Sequence, residues 1–165
     1  GVLGHFAPIT QQSAADFDEV MATNLKGVWL CAKYQIEAFL DQGDGGAIIN
    51  TSSWLAHGAL AGSSIYSASK GALDAMIRAL ALEYGRQGIR INNICPGIID
   101  TPMARSSGDV AAYQPFVEHT PMKRMGQPED IGDVAMWLAS EGARFITGQS
   151  ILVDGGYTIG GLRWQ

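Results

Sequence analysis

Residues 47–51, Ala-Ile-Ile-Asn-Thr, form a short apolar run from which the fold class follows. A glycine-rich turn at 43–46 precedes the run and small polar residues follow it, so it has the length and borders of a buried strand. Segments of helical period flank it, one from about 13 to 41, with Ser13 as its cap, and one from about 64 to 84. This alternation is typical of a parallel sheet covered by helices and predicts an α/β protein.

The rest of the chain repeats the alternation. Residues 89–95 are a second strand pattern, ended by Pro96-Gly97, and residues 150–153 are a third. A helix is predicted to begin at Pro128, with a proline in its first turn and acidic residues near its positive end. Residues 101–127 contain three prolines and predict a long, irregular or partly helical excursion, a kind of segment that is usually functional or mobile.

Composition and charge narrow the class of function. The chain has 165 residues, 47% of them hydrophobic, which suits one domain with a sizeable core. A net charge of -5 with scattered Lys and Arg argues against a nucleic-acid partner. No apolar run of about 18 residues and no signal peptide occurs, so no membrane association is expected. Cys31 and Cys95 fit no CxxC pattern, which predicts buried free thiols in a reducing compartment and favours the cytoplasm.

Two polar residues lie on the apolar stripe of the second helix. Tyr66 and Lys70 are four residues apart, so their side chains share one face and an ammonium lies near a phenol. A nearby positive charge favours the phenolate and would lower the pKa of Tyr66 toward the range useful for proton transfer. The pair is a candidate acid/base unit. The alternative is a lysine that extends to solvent beside an ordinary core tyrosine.

Two further polar residues break the apolar pattern. Ser53 follows the strand 47–51 at its carboxyl end, where open α/β sheets gather their ligands, and its hydroxyl could hold a carbonyl or alcohol oxygen. The alternative is a serine whose hydroxyl forms hydrogen bonds with the loop backbone. Asn24 lies on the apolar side of the first helix, where its amide needs partners. The Asn24 amide either hydrogen-bonds to irregular backbone or holds a water molecule.

A serine hydrolase is a rival interpretation. Ser53 and His57 suggest it, but the sequence has no GxSxG elbow and His57 has no obvious acid partner. His57 is then a pocket or surface residue. His5 and His119 give no metal-ligand spacing, so no metal is expected.

Six segments resemble the short-chain dehydrogenase/reductase family. They are NLKG at 24–27, NTSS at 50–53, YSASK at 66–70, NICPGIIDTPM at 93–103, QPEDIG at 127–132 and ITGQSILVDGGY at 146–157. They cover nearly the whole chain in the expected order. The resemblance implies a Rossmann-like, doubly wound parallel sheet and an oxidoreductase that interconverts a carbonyl and a secondary alcohol with NAD or NADP.

The resemblance also implies residue roles. Tyr66 would be the general acid/base, Lys70 would lower its pKa and bind the nicotinamide ribose, Ser53 would orient the substrate oxygen, and Asn24 would support a water leading to Lys70. The loop at the nicotinamide would be shaped by Pro96 and Gly97, with contacts to the cofactor from the backbone of Ile99 and from Thr101. Residues 101–127 would be the substrate lid. Plausible pocket or lid residues, which could equally be ordinary packing, are Trp54, His57, Met103, Tyr113 and Phe116.

The beginning of the chain departs from the family pattern. The TGxxxGxG phosphate loop and the strands around it are missing, so residues 1–165 resemble an incomplete Rossmann-like domain, the carboxyl-terminal two thirds of such an enzyme. We expect these residues alone to be poorly soluble or molten, because the sheet would expose an edge and an apolar face. An inactive fragment, or a non-catalytic binding or structural member of the fold, is the alternative. The complete protein is expected to be a homo-oligomer, a dimer or a tetramer.

Overall fold

The computed structural model describes residues 1–106 and 110–161. Helices and strands alternate through this part of the chain, as the sequence predicts. The α-helices are α1 (Ala14–Met21), α2 (Gly27–Gln42), α3 (Ser64–Tyr84), α4 (Pro102–Ser106), α5 (Gln114–His119) and α6 (Pro128–Ala139), and the strands are β1 (Gly46–Thr51), β2 (Ile89–Pro96) and β3 (Ser150–Val153).

The three strands form one parallel sheet in the order β1-β2-β3. In its register Ile48 lies opposite Ile91, and Ile94 lies opposite Ile151. All three predicted strands are confirmed, each to within one residue at either end. Because the strands are parallel, their carboxyl ends meet at one edge of the sheet, and the segments that follow β1 and β2 leave from that edge.

Helices cover both faces of the sheet. Ile91 packs with Ile36 of α2 and Ile77 of α3 in one buried cluster. Ile94, three residues later on the same strand, packs with Leu138 of α6 in a second cluster. Side chains alternate between the faces of a strand, so the two clusters lie on opposite sides of β2. The Rossmann-like, doubly wound arrangement is therefore present over these three strands.

The first predicted helix is interrupted. Ser13 caps α1 in a capping box with Asp16, and Gly43 ends α2 at a φ of 78°, both near the predicted ends. Between α1 and α2 the backbone makes a π-helical turn over Ala22–Lys26. A π turn places one extra residue in the helix and is frequent at functional sites. Asn24 lies in this turn and is 1% exposed.

The predicted excursion at 101–127 is partly helical. It contains α4, a short 3₁₀ turn at Val110–Tyr113 and α5, while residues 107–109 lie outside the described part of the chain. A bridge between Ile99 and Gly126 joins the two ends of this segment. The segment therefore leaves the sheet after β2 and returns to it before α6.

The prediction of two buried thiols is wrong for one of them. Cys95 is fully buried in β2, but Cys31 is exposed on α2. Ala32 and Ile36 form the buried face of α2, and Cys31 lies off that face. Within the described residues, every helix is too short or too polar to cross a membrane.

Candidate active site

Tyr66, Lys70 and Ser53 meet at the carboxyl edge of the sheet. Ser53 leaves β1 in an extended conformation and caps the short turn Trp54–Ala56, where its Oγ accepts a hydrogen bond from the Leu55 N–H at 3.1 Å. Tyr66 lies in the first turn of α3, close enough for its phenol to form a hydrogen bond with the Ser53 side chain. The two hydroxyls can therefore both form hydrogen bonds with one substrate oxygen.

Lys70 is buried one turn behind the phenol. Only 5% of the residue is exposed, and its Nζ donates a hydrogen bond of 2.8 Å to the carbonyl oxygen of Thr51 at the end of β1. The same Nζ lies 5.8 Å from the centre of the Tyr66 ring. Burial lowers the pKa of Lys70, and the nearby thiol of Cys95 opposes this effect. The predicted alternative of a solvent-exposed lysine is therefore wrong.

The pKa of Tyr66 shifts in the direction opposite to the sequence prediction. Burial raises its pKa above the ordinary value of 10.0, and the hydrogen bond with Ser53 only partly opposes that rise. Burial is the larger effect, and the Lys70 ammonium donates its hydrogen bond to the Thr51 carbonyl. In this state Tyr66 is a neutral phenol and hence a proton donor at neutral pH.

Asn24 is held by irregular backbone, the first of the two possibilities that the sequence leaves open. Its Oδ1 accepts a hydrogen bond from the Val2 N–H, and its Nδ2 donates to the Val2 carbonyl, both at 2.8 Å. Its Nδ2 also donates to the Oγ of Ser69 at 3.2 Å, on α3 beside Lys70. The π turn thus ties the start of the chain to the helix that carries the acid/base pair.

The predicted cofactor loop follows β2. Pro96 is the last residue of β2, and the Gly97 N–H donates to the Val153 carbonyl at 3.0 Å. A Cβ at Gly97 would lie 2.6 Å from the Cα of Asp154, so only glycine fits between the two loops. The hydroxyl of Thr101 accepts a hydrogen bond from the Ala104 N–H in the first turn of α4. Ile99 is held by its bridge to Gly126.

Aromatic rings line the space beside Ser53. Trp54 is 6% exposed and meets Tyr157 edge to face, with ring centres 4.7 Å apart. Tyr157 also contacts Phe116 and His119 of α5, and Tyr113 lies against Phe116. Tyr157 was not among the predicted pocket residues, and its only sequence signal is its place at the end of the segment 146–157. Met103, at 39% exposure, lies on the surface of α4.

His57 points away from these rings. Its Nε2 lies 3.1 Å from Oδ2 of Asp74 and 3.5 Å from Sγ of Cys95. The statement that His57 lacks an acid partner is therefore wrong, because Asp74 supplies one. The same ring nitrogen faces both groups, however, and the Ser53 oxygen is engaged with Leu55 and Tyr66. A hydrolase triad needs one imidazole nitrogen for the acid and the other for the serine, so this arrangement does not form one.

The donor set at the edge fits a nicotinamide nucleotide. An ammonium carries three N–H donors, and Lys70 gives one of them to the Thr51 carbonyl, which leaves donor capacity for ribose hydroxyls. The sequence 1–165 contains no glycine-rich phosphate loop after a strand. The described residues can therefore serve the nicotinamide end of such a cofactor.

Known proteins resemble this chain over most of its length. The family model described as enoyl-(acyl carrier protein) reductase matches residues 1–158. A glucose 1-dehydrogenase from Gluconobacter oxydans is 43% identical over 149 residues, covering 88% of this chain and 55% of that protein. The chain spans about half the length of the curated relatives it matches.

Solved structures extend the likeness to the fold. 4-Hydroxyisoleucine dehydrogenase complexed with NADH superposes with a TM-score of 0.91 at 29% identity, covering 98% of this chain and 67% of that one. A short-chain type dehydrogenase/reductase from Mycobacterium marinum gives a TM-score of 0.89 at 32% identity, with 97% and 63% covered. From the matched family model, these relatives and the shared fold, the chain belongs to the short-chain dehydrogenase/reductase family.

Proposed function

We propose that the complete protein is an NAD(P)-dependent oxidoreductase that interconverts a carbonyl and a secondary alcohol, with Tyr66 as general acid/base. One observation carries this proposal: the hydroxyls of Tyr66 and Ser53 meet at the carboxyl edge of the sheet, with the buried Lys70 ammonium one helical turn away. Ligands of open α/β sheets bind at this edge.

Each of the three side chains has a distinct task in the proposed reaction. In reduction, Tyr66 donates its phenolic proton to the substrate oxygen, and in oxidation its phenolate takes that proton back. Ser53 holds the same oxygen through its hydroxyl. Lys70 supplies positive charge that stabilises the phenolate left after proton donation.

The proposed cofactor is NAD or NADP. Bound nicotinamide supplies or accepts a hydride. Lys70 would hold the ribose hydroxyls, and the loop formed by Pro96, Gly97, Ile99 and Thr101 would meet the nicotinamide. The NADH bound to 4-hydroxyisoleucine dehydrogenase supports this assignment. Asn24 would position Lys70 through Ser69, and its water-holding role in the family is proposed in addition.

The proposed substrate is a small molecule with an apolar part. Trp54, Tyr157 and Phe116 form an aromatic wall that favours apolar surface next to the reacting oxygen. Residues 101–127 would close over it as a lid, with Tyr113 against Phe116. Met103 is at the surface of α4 and would join the pocket only if α4 moves. His57 is not part of this pocket, because it points toward Asp74.

A Ser53→Ala variant of the complete protein tests the proposal. With NADH or NADPH and a panel of ketones, we expect substrate-dependent cofactor oxidation to fall by about a hundredfold to a thousandfold, as when one oxyanion donor is removed. Ser64→Ala is the matched control, because Ser64 is exposed and its hydroxyl donates to Gln12. Equal activity in Ser53→Ala and wild type would contradict the assignment.

A non-catalytic member or inactive fragment is the second candidate. The chain spans about half the length of its curated relatives, so the activity of the complete protein needs a direct test. Under the second candidate the protein would bind a nucleotide weakly or not at all, and no carbonyl in the panel would be reduced. Cofactor binding measured by fluorescence, beside turnover, separates the two candidates.

We also propose a cytoplasmic homo-oligomer, a dimer or tetramer. An apolar groove between α1, α2 and α3 supports self-association, with Trp29 at 49% exposure on its surface. Asp18 and Lys26 lie on the groove with opposite charges, which can pair across a twofold axis. Light scattering of the complete protein and of Trp29→Asp tests this, since the variant should shift the mass toward the monomer.

A further inference from the structure

Three side chains of metal-ligand type converge beside the candidate active site. His57 follows the helical turn after β1, Asp74 lies on α3 one turn beyond Lys70, and Cys95 is the penultimate residue of β2. One imidazole nitrogen, one carboxylate oxygen and the thiol sulfur lie within 4.8 Å of one another. The proposed dehydrogenase mechanism uses none of the three, so the cluster requires its own explanation.

Two of the three distances already match a tetrahedral zinc site. Bond lengths of about 2.0 to 2.3 Å at tetrahedral angles place nitrogen and oxygen ligands about 3.4 Å apart, and nitrogen and sulfur ligands about 3.6 Å apart. The observed separations are 3.1 Å from Nε2 to Oδ2 and 3.5 Å from Nε2 to Sγ. The carboxylate and the sulfur lie within 4.8 Å of each other. A small rotation of the Asp74 or Cys95 side chain would bring this third separation into the same range.

The carboxylate of Asp74 is held in the orientation that a metal ligand needs. Its Oδ1 accepts hydrogen bonds from Asn93 Nδ2 at 2.9 Å and from Ser150 Oγ at 2.7 Å. These two donors occupy the oxygen that faces the sheet, and Oδ2 is the oxygen that lies 3.1 Å from the His57 Nε2. Outer hydrogen bonds of this kind are characteristic of metal sites.

Burial and access also suit a bound ion. Cys95 is fully buried and Asp74 is 7% exposed, whereas 34% of the His57 side chain is exposed. The imidazole therefore forms the outer wall of the site, through which an ion can enter and a water can complete the coordination.

We propose that His57, Asp74 and Cys95 bind one Zn²⁺ ion, with water as the fourth ligand. Thiolate, imidazole and carboxylate together are ligands that zinc prefers, while Mg²⁺ and Ca²⁺ need more oxygen ligands than this cluster offers. On binding, the thiol proton leaves to solvent and the imidazole keeps its proton on Nδ1, so that Nε2 presents its lone pair. The thiolate and the carboxylate then balance the two positive charges.

The ion would join three segments that also carry the candidate active site. His57 belongs to the loop that begins with Ser53, Asp74 to the helix of Lys70, and Cys95 to the strand that ends at Pro96. A ligand that binds only the folded state stabilises that state. Zn²⁺ is therefore expected to raise the Tm of the complete protein, independently of any turnover.

Co²⁺ is the probe of choice, because a thiolate bound to Co²⁺ gives a charge-transfer band in the near ultraviolet. After removal of metals by a chelator, titration of the complete protein with Co²⁺ should give this band with visible d–d bands, saturating at one equivalent. Zn²⁺ should displace the Co²⁺ signal. The band should be absent in Cys95→Ser and present in Cys31→Ser, whose thiol lies on the surface of α2.

Two milder variants keep the test decisive where Cys95→Ser is poorly folded. His57→Gln, at a partly exposed position, should weaken Co²⁺ binding more than tenfold, and Ser150→Ala, which keeps all three ligands, should weaken it by about 10-fold to 100-fold. Circular dichroism checks the fold of each. Absence of the band in wild type, or an unchanged band and affinity in His57→Gln, would overturn the proposal.

Discussion

The Nζ of Lys70 lies 5.8 Å from the centre of the Tyr66 ring, and it donates its hydrogen bond to the Thr51 carbonyl rather than to the phenol oxygen. The ammonium is thus near the phenol but does not determine its protonation in this state. The Ser53 side chain is the neighbour that lowers the pKa of the phenol, against the larger effect of burial. Tyr66 therefore has a positive charge nearby, as an acid/base unit requires, and its phenol is protonated.

Tyr66→Phe should abolish turnover of the complete protein while leaving cofactor binding intact. The substitution removes the proton donor and keeps the ring, so we expect kcat to fall by about a hundredfold to ten-thousandfold. Tyr84→Phe is the matched control, since Tyr84 lies at the other end of α3 and packs against the core. A retained rate in Tyr66→Phe would show that another group exchanges the proton.

The pH dependence of the two directions should differ. Because burial raises the pKa of Tyr66 above 10.0, the phenol is the dominant form through neutral pH and is lost only above that value. Carbonyl reduction needs the phenol and should hold its kcat until alkaline pH, whereas alcohol oxidation needs the phenolate and should speed up as the pH rises. A reduction rate that already falls between about pH 7 and pH 9 would instead support a pKa lowered by Lys70.

Much of the fold could be predicted because its elements are marked locally. The strand at 47–51 is an apolar run between glycines and small polar residues, and the helix that ends at Tyr84 keeps a regular apolar stripe. The π turn at Ala22–Lys26 was missed because one extra residue leaves the spacing of three and four nearly intact. Its cause is tertiary, since Asn24 bonds to the backbone of Val2.

The position of a candidate site residue could be predicted where that residue lies in a regular helix or directly after a strand. Tyr66 and Lys70 are placed by helical period, and Ser53 by the end of a strand. His57 and Tyr157 lie on loops, where no period fixes direction, and their contacts come from residues distant in sequence. The direction of the Tyr66 pKa shift could not be predicted from the sequence either. It depends on burial and on which acceptor the Lys70 ammonium donates to.

Leu73→Ala should strongly destabilise the complete protein. Leu73 is fully buried on α3, between the site and the core, and removing its side chain should cost about 2 to 5 kcal/mol of unfolding free energy. Leu82→Ala on the same helix is the control, since Leu82 is 87% exposed and should change that free energy by less than about 0.5 kcal/mol. Chemical denaturation measures both, and similar midpoints would contradict the packing of α3 against the sheet.

Asp130→Asn should lower the Tm at neutral pH but not in strong acid. The Arg124 guanidinium and the Gln127 N–H hold the pKa of Asp130 at about 2, below its ordinary 3.8. A depressed carboxyl pKa contributes stability above pH 3.8 that is lost as the pH falls through about 2. Thermal melts across that window should show the variant and wild type converge. Asp133→Asn, on the exposed side of the same helix, should show no such convergence.

Gly97→Ala should disrupt the loop proposed to meet the nicotinamide. Its new methyl group would lie 2.6 Å from both Cα and Cβ of Asp154, so one of the two loops must move. We expect weaker cofactor binding and a lower kcat, measured by nucleotide titration and turnover of the complete protein.

Gly132→Ala is the matched control for Gly97→Ala. A Cβ at Gly132 meets no neighbour within 4 Å, and the residue lies inside α6. Alanine there should stabilise the protein by about 0.5 to 1 kcal/mol, because glycine loses more conformational freedom in a helix. If Gly97→Ala binds NADH and NADPH as wild type does, the segment after β2 does not contact the nicotinamide, and the cofactor must be held without it.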